Sequence, residues 1–158
     1  IGRHHGRIFC RPGHPILASG RVELPALLDF PWIASQLPAR IAAGLPRPSG
    51  SAGRIDALTG DFMPAIKVDV PMQIADLLAG SDALALTSLA HMERDLDAGN
   101  VAVVPTSKVT FQASYGFIYL KDRSLTPAAL AYMDEVRAVE AGIVRREAAL
   151  AERYGDRL

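Results

Sequence analysis

The chain has 158 residues, 49% of them hydrophobic, with 17 Lys and Arg against 17 Asp and Glu and a formal net charge of zero. That hydrophobic share supports a packed core and excludes global disorder, the balanced charge argues against a surface that holds nucleic acid by itself, and no apolar run is long enough to span a membrane. Cys10 is the only cysteine, which excludes an internal disulfide and a cysteine-rich metal site.

The opening Ile1-Gly-Arg-His-His-Gly-Arg7 carries neither an initiator Met nor the apolar core of a signal peptide. The chain is therefore expected to begin inside a longer gene product, with His4 and His5 in a basic, frayed terminus. Residues 7–11 are apolar enough for a strand that Pro12-Gly13 ends. Leu24, Leu27 and Leu28 give residues 22–28 helical spacing. Residues 31–34 read as the next strand, and residues 38–45 as a short helix with Ile41 and Leu45 on one face. The Pro, Ser and Gly content of residues 46–53 predicts a loop too brief to be a domain linker. Residues 56–63 are ambiguous between helix and loop.

A cleaner rhythm follows. Residues 65–70 alternate as a strand. Residues 72–78 place Ile74, Leu77 and Leu78 on one helical face, with Gly80 as the stop. Residues 83–86 read as a short buried strand. Ser88 is suited to cap a helix whose apolar face is Leu89, Met92 and Leu96 and which Gly99 ends. Residues 101–104 form an apolar strand closed by Pro105, and residues 108–120 a further strand region. Thr126-Pro127 starts a long helix, a Thr cap with Pro at the first helical position. That helix is expected to run to about Tyr154 with Leu130, Met133, Val136, Val139 and Ile143 on its apolar face. Strands alternating with helices predict α/β architecture, a mixed, mainly parallel sheet covered on both faces.

The residues that bear chemistry do not assemble into a reaction. His4 and His5 are adjacent, His14 sits in a Gly-His-Pro turn, His91 lies in a helix, and no His-x-x-x-His or Cys-x-x-Cys spacing occurs. There is no Gly-x-Ser-x-Gly elbow, and Gly50-Ser-Ala-Gly53 lacks the Lys and Ser/Thr of a phosphate loop. Cys10 on a buried strand needs no catalytic role. The expectation is a protein that is not an enzyme and that uses no metal and no cofactor.

Phe9-Cys-Arg-Pro-Gly-His-Pro-Ile16 and Tyr115-Gly-Phe-Ile-Tyr-Leu-Lys-Asp-Arg-Ser-Leu-Thr-Pro-Ala-Ala129 lie a hundred residues apart. Between them stand Phe30-Pro-Trp-Ile33, Leu77-Leu-Ala-Gly-Ser-Asp-Ala83, the helix ending at Gly99 and the strand at Val101. In this order the pieces resemble the C-terminal, effector-binding part of LysR-type transcriptional regulators. Order and spacing carry the resemblance, since no single motif is diagnostic.

The resemblance implies a type-2 periplasmic-binding-protein-like fold, two α/β lobes joined by two crossover strands. Residues 1–105 would be the first crossover and a nearly complete second lobe. Residues 106–158 would be the returning crossover, strand and C-terminal helix of a partial first lobe. The family's winged helix-turn-helix is not in these residues, so DNA would be met only through a missing N-terminal domain. The implied function is sensing a small, often anionic, metabolite in an interlobe cleft, in a cytoplasmic regulator with no membrane association.

Helix N-termini and strand ends line such clefts. On this sequence they offer Ser35, Gln36, Leu37 and Pro38, then Ser81 and Asp82, then Ser88, with Tyr115 on the return strand. Each also has a plainer reading as a cap, a turn or a packing residue. Arg40 and Arg47 could serve an anion, although exposed Arg is the ordinary case. The resemblance further implies self-association through the Leu130–Ile143 face of the C-terminal helix and a second-lobe helix such as residues 72–78 or 89–96. With most of one cleft wall absent, these residues alone are expected to bind an effector weakly or not at all. A solute-binding protein of a transport system shares the fold and is the alternative function. A small α/β enzyme is a third, for which no partnered titratable pair is evident.

Overall fold

The computed structural model describes residues 1–45, 50–69, 73–106 and 111–155. Nine residues, Gly2–Cys10, form the first strand, β1. His4 and His5 are therefore not in a frayed terminus. Residues 2–6 are held by antiparallel pairing with β8 (Phe111–Tyr115), with Gly2 opposite Tyr115 and Gly6 opposite Phe111. The second half of β1 pairs antiparallel with β6 (Leu84–Ser88) on one side and with β7 (Ala102–Val103) on the other. Next to β6 runs β2 (Trp32–Ala34), parallel to it, and then β5 (Ile66–Lys67), parallel to β2. All these strands point one way except β1, which is the reason the sheet is mixed yet mainly parallel.

Both faces of the sheet are covered, and strand alternation decides which side chain goes where. Ile8 and Cys10 of β1, Trp32 of β2 and Leu84 of β6 enter one core. It is closed by a 3-10 turn at Pro15–Ser19, by α1 (Leu24–Leu27) and by α2 (Ala39–Ala42). Phe9, Ile33 and Ala85 enter the opposite core, closed by α3 (Ile74–Ala79), α4 (Leu89–Asp97) and the end of α5 (Pro127–Gly155). Trp32 is fully buried, its indole Nε1 donates to the Leu27 carbonyl at 2.8 Å, and its ring meets Phe62 and Phe111 edge-on.

The caps read from the sequence are present. Ser88 Oγ accepts from His91 N at 3.3 Å, Gly99 leaves α4 at φ +72°, and Thr126 Oγ1 accepts from Ala129 N at 3.2 Å. Leu89, Met92 and Leu96 are buried. Gly80 follows α3 at φ −98°, so that helix stops without a left-handed residue.

Three local expectations change. The segment around residues 53–64, ambiguous between helix and loop from the sequence, is neither: it is a two-stranded hairpin, β3 (Gly53–Ile55) against β4 (Phe62–Pro64). Asp56 forms the turn, its Oδ1 taking the N–H groups of Leu58 and Thr59 at 2.9 Å each. These bonds to its charged form hold the carboxyl below the usual carboxylate range. The expected loop at 46–53 falls partly on residues 46–49, outside the described residues. The strand expected at 65–70 is ordered as one only at Ile66–Lys67, with Val70 outside the described residues. Likewise the region 108–120 is strand only over Phe111–Tyr115, and residues 108–110 lie outside.

The apolar face read for α5 from the sequence, expected to meet another chain, is divided. Leu130 and Val139 are 47% and 62% exposed, whereas Met133, Glu140 and Leu150 are buried and Ile143 and Glu147 half-buried. Steps of three residues lag a 3.6-residue turn and rotate off a contact line. Steps of seven, as from Met133 to Glu140 to Glu147, stay nearly on it.

Candidate functional site: a cleft at the strand ends

A cleft of about 830 Å³ opens where β2 and β6 end. Ala34 and Ser35 lead out of β2, and Leu86, Thr87 and Ser88 close β6. The side walls are Glu23, Leu24 and Pro25 at the start of α1, and Leu37, Ile41 and Leu45 in and around α2. Opposite them stand His4 and Gly6 from β1 and Phe111 and Gln112 from β8. C-terminal ends of parallel strands are where open α/β sheets take ligands, because the chain leaves the sheet there in turns that splay apart. The floor stays low because residue 6 is Gly. A Cβ there would lie 2.8 Å from Leu86 Cδ1 and 3.0 Å from Phe111 Cβ.

Three of the residues singled out from the sequence, Ser35, Leu37 and Ser88, line this cleft. Ser35 Oγ donates to the Val68 carbonyl at 3.3 Å. Leu37 exchanges main-chain bonds with Phe62, at 3.0 and 2.9 Å, which tie the wall to the hairpin. Gln36 and Pro38 flank it without lining it. Gln36 Nε2 donates to Asp61 Oδ2 at 2.5 Å, and Pro38 precedes α2. Asp61 Oδ1 also takes the Ala39 N–H at 2.8 Å, so one carboxylate sets both the loop and the helix start.

Ser81 and Asp82 lie at the other end of β6, four or more strand residues from the cleft and so on the order of 15 Å away. Ser81 Oγ donates to the Leu77 carbonyl at 2.7 Å, and Asp82 takes Nε and Nη2 of Arg11 at 2.9 and 2.7 Å. Arg40 is exposed on α2 and Arg47 is outside the described residues. Among the described lining residues there is no Lys or Arg; the ionisable side chains are Glu23 and His4.

Tyr115 belongs to a second cluster, where β1 and β8 meet α5. Its ring stacks on His4 with centroids 4.9 Å apart and an angle of 8°. His4 Nδ1 lies 3.3 Å from Glu147 Oε2, and its Nε2 lies 3.8 Å from Glu140 Oε2. Burial pushes the Tyr115 phenol up to about 12, and the neighbouring Glu140 and Glu147 carboxylates push the same way. Burial likewise pushes the Cys10 thiol up to about 12, against the pull of Arg11. No group of three or more His, Cys, Asp or Glu among the described residues is arranged to hold a metal ion. No helix of the described residues is long and apolar enough to cross a membrane.

Sequence reasoning found the strand-end residues but not the walls from β1, α1 and β8. Phe111 and Gln112 are a hundred residues from β1 and reach the cleft only through the β1–β8 pairing. The alternation of β8 marks Phe111 as facing one side; nothing local says which side is the cleft.

The family model for the LysR substrate binding domain matches residues 1–141. The chain belongs to the LysR substrate-binding domain family. It is 32% identical over 128 residues to the SDS degradation transcriptional activation protein of Pseudomonas sp. (strain ATCC 19151), a match covering 78% of this chain and 39% of that protein. It is 28% identical over 143 residues to the HTH-type transcriptional regulator GbpR of Azospirillum brasilense, covering 87% of this chain and 39% of that one. The chain thus spans about two-fifths of the length of these relatives. Both are named as transcription factors, and neither as a transport protein. The regulatory domain of MetR, a LysR family regulator from N. meningitidis, superimposes with a TM-score of 0.51 at 14% identity, covering 70% of this chain and 49% of that one. At that identity the likeness speaks for the fold, which is that of a LysR substrate-binding domain.

Proposed function

We propose that this LysR substrate-binding domain senses a small molecule in the cleft at the ends of β2 and β6 and passes the binding event to a DNA-binding part of the regulator outside these residues. The observation that carries this reading is the position of the cleft. One wall is the body built on β2, β6, α1 and α2, and the other is the β1–β8 pair, which we read as the two crossover strands of a two-lobed fold. Residues 1–105 then form the crossover and second lobe, and residues 106–158 the returning part of the first. A ligand that touches both walls binds the closed arrangement better than the open one, and only that difference shifts the population. Ser35, Leu37 and Ser88 are the binding residues among those expected from the sequence, joined by Ile41 and Phe111.

In this reading the protein works in the cytoplasm, without covalent chemistry. It pairs with further copies through exposed α5 residues such as Leu130 and Val139; the expected α4 face is taken up inside this chain, where Leu89, Met92 and Leu96 are buried and Glu93 and Asp97 meet Arg146 and Arg153 of α5. An anionic effector would have to rely on main-chain donors and hydroxyls, because the described lining offers no Lys or Arg.

The experiment is a thermal-shift screen of metabolites on the full-length protein and on its Ser35→Trp variant, followed by footprinting on the promoter next to its gene. A compound that raises the melting temperature of the parent, leaves a folded Ser35→Trp protein unmoved and changes the footprint supports the reading. Ligand-independent footprints and no stabilising compound would overturn it.

A further inference from the structure

Resting on the effector reading of the cleft, we infer that the effector has an apolar body, aliphatic or aromatic, with one polar end, and is not a small hydrophilic metabolite. Carbon makes up most of the cleft wall. Leu24, Leu37, Leu45, Leu86 and Phe111 each pack one side against the buried core and line the cleft as well. Such surfaces gain by leaving water only against another apolar surface. A hydrophilic ligand would have to shed its water against them with nothing in return. The cleft holds about 830 Å³, room for a ligand of drug-like size.

Charge argues the same way. Glu23 is the one carboxylate of the described lining, which holds no Lys or Arg, and His4, its one possible cation, already faces Glu140 and Glu147, so a multiply charged acid would meet repulsion with little to offset it. The polar groups suit a single terminal group. Ser35 Oγ gives its proton to the Val68 carbonyl and keeps lone pairs to accept. Ser88 Oγ takes the His91 N–H and keeps its proton to donate. One acceptor and one donor at neighbouring strand ends fit a hydroxyl, amide or carboxyl end, with the rest of the molecule lying along Leu37, Ile41 and Phe111.

The test uses primary alcohols from hexanol to dodecanol, titrated into the full-length protein and followed by the fluorescence of Trp32, whose ring contacts Phe111. Affinity should rise about three- to fourfold for each added methylene until the cleft is filled. It should fall at least tenfold in Ile41→Asp, and in Phe111→Ala should that variant fail to fold. Affinity independent of chain length, or unchanged in both variants, overturns the inference. So does a dimer in sedimentation that excludes the alcohols and that Ile41→Asp dissociates, since the apolar wall would then be a protein contact. If the alcohols are ignored while a hydrophilic compound binds the parent and not Ser35→Trp, the apolar-body inference falls and the effector reading stands. If neither binds, both fall.

Discussion

His14 and Asp82 are joined across 68 residues of chain, the imidazole Nε2 lying 3.1 Å from the Asp82 carbonyl oxygen. The other ring nitrogen, Nδ1, accepts from Ile16 N at 3.0 Å, so the proton sits on Nε2 and is donated to Asp82. His14 is 1% exposed, and its ring meets Phe30 edge-on at 4.7 Å. It is a fastener between the turn after β1 and the turn before β6, a structural role for a residue that could have been read as a ligand.

Replacing His14 with Leu keeps the volume but leaves the Ile16 N–H and the Asp82 carbonyl without this partner. The expected loss is about 2–3 kcal/mol of stability, read as a lower midpoint in urea. Arg11→Ala, which removes the ion pair to the Asp82 side chain and a 3.3 Å bond to the Pro12 carbonyl, should cost under about 1 kcal/mol, because both ion-pair partners are partly exposed. An equal effect of the two changes would mean that the imidazole bonds are not what holds the turns.

Cys10 is fully buried, and its thiol is pushed up to about 12. The thiolate is the reactive form. A disulfide reagent at pH 8 should therefore leave Cys10 untouched in the folded protein and modify it only on unfolding, the rate following the denaturant. Rapid modification without denaturant would show that β1 opens locally.

The Tyr115 phenol has its ordinary value near 10 in the unfolded chain and about 12 in the folded one. The folded state thus holds the proton more tightly. The stability this contributes is complete below pH 10 and is lost as the pH rises from 10 through 12. Absorbance at the tyrosinate band should show a late step near pH 12, and Tyr115→Phe should remove it. Glu140→Gln should move the step to lower pH by deleting a neighbouring negative charge.

Gly53 opens β3 at φ +151°, and a Cβ there would overlap the Met63 carbonyl across the hairpin. Gly53→Ala should destabilise the protein by at least about 1–3 kcal/mol. Because Leu37 and Phe62 link the hairpin to the cleft wall, effector affinity should fall as well. Gly20→Ala, at φ +68° but in open space, should cost less and leave the ligand affinity alone, which separates backbone strain from damage to the cleft.

What the sequence by itself determined was set by local chemistry. The Ser88 and Thr126 caps, the Gly99 stop and the buried face of α4 follow from hydrogen-bonding and spacing within one turn of helix. The alternation of apolar strands and helices was enough for the fold class, and the order of its turn motifs was enough for the family. The ends of β2 and β6 were legible as the place for Ser35 and Ser88 because helices start there.

Only the tertiary structure decided which distant segments share a wall. Pairing between β1 and β8 brings Phe111 and Gln112 to the cleft and draws His4 out of a presumed loose end into a strand, and neither segment carries a signal for the other. Asp82 was drawn away from the ligand reading by Arg11, 71 positions earlier. Glu140 lies inside while Val139 beside it stays exposed, because the contact line of a long helix is set by what it lies against and not by its own hydrophobic count. Burial is a property of the neighbours a residue acquires, and those neighbours are chosen by the fold.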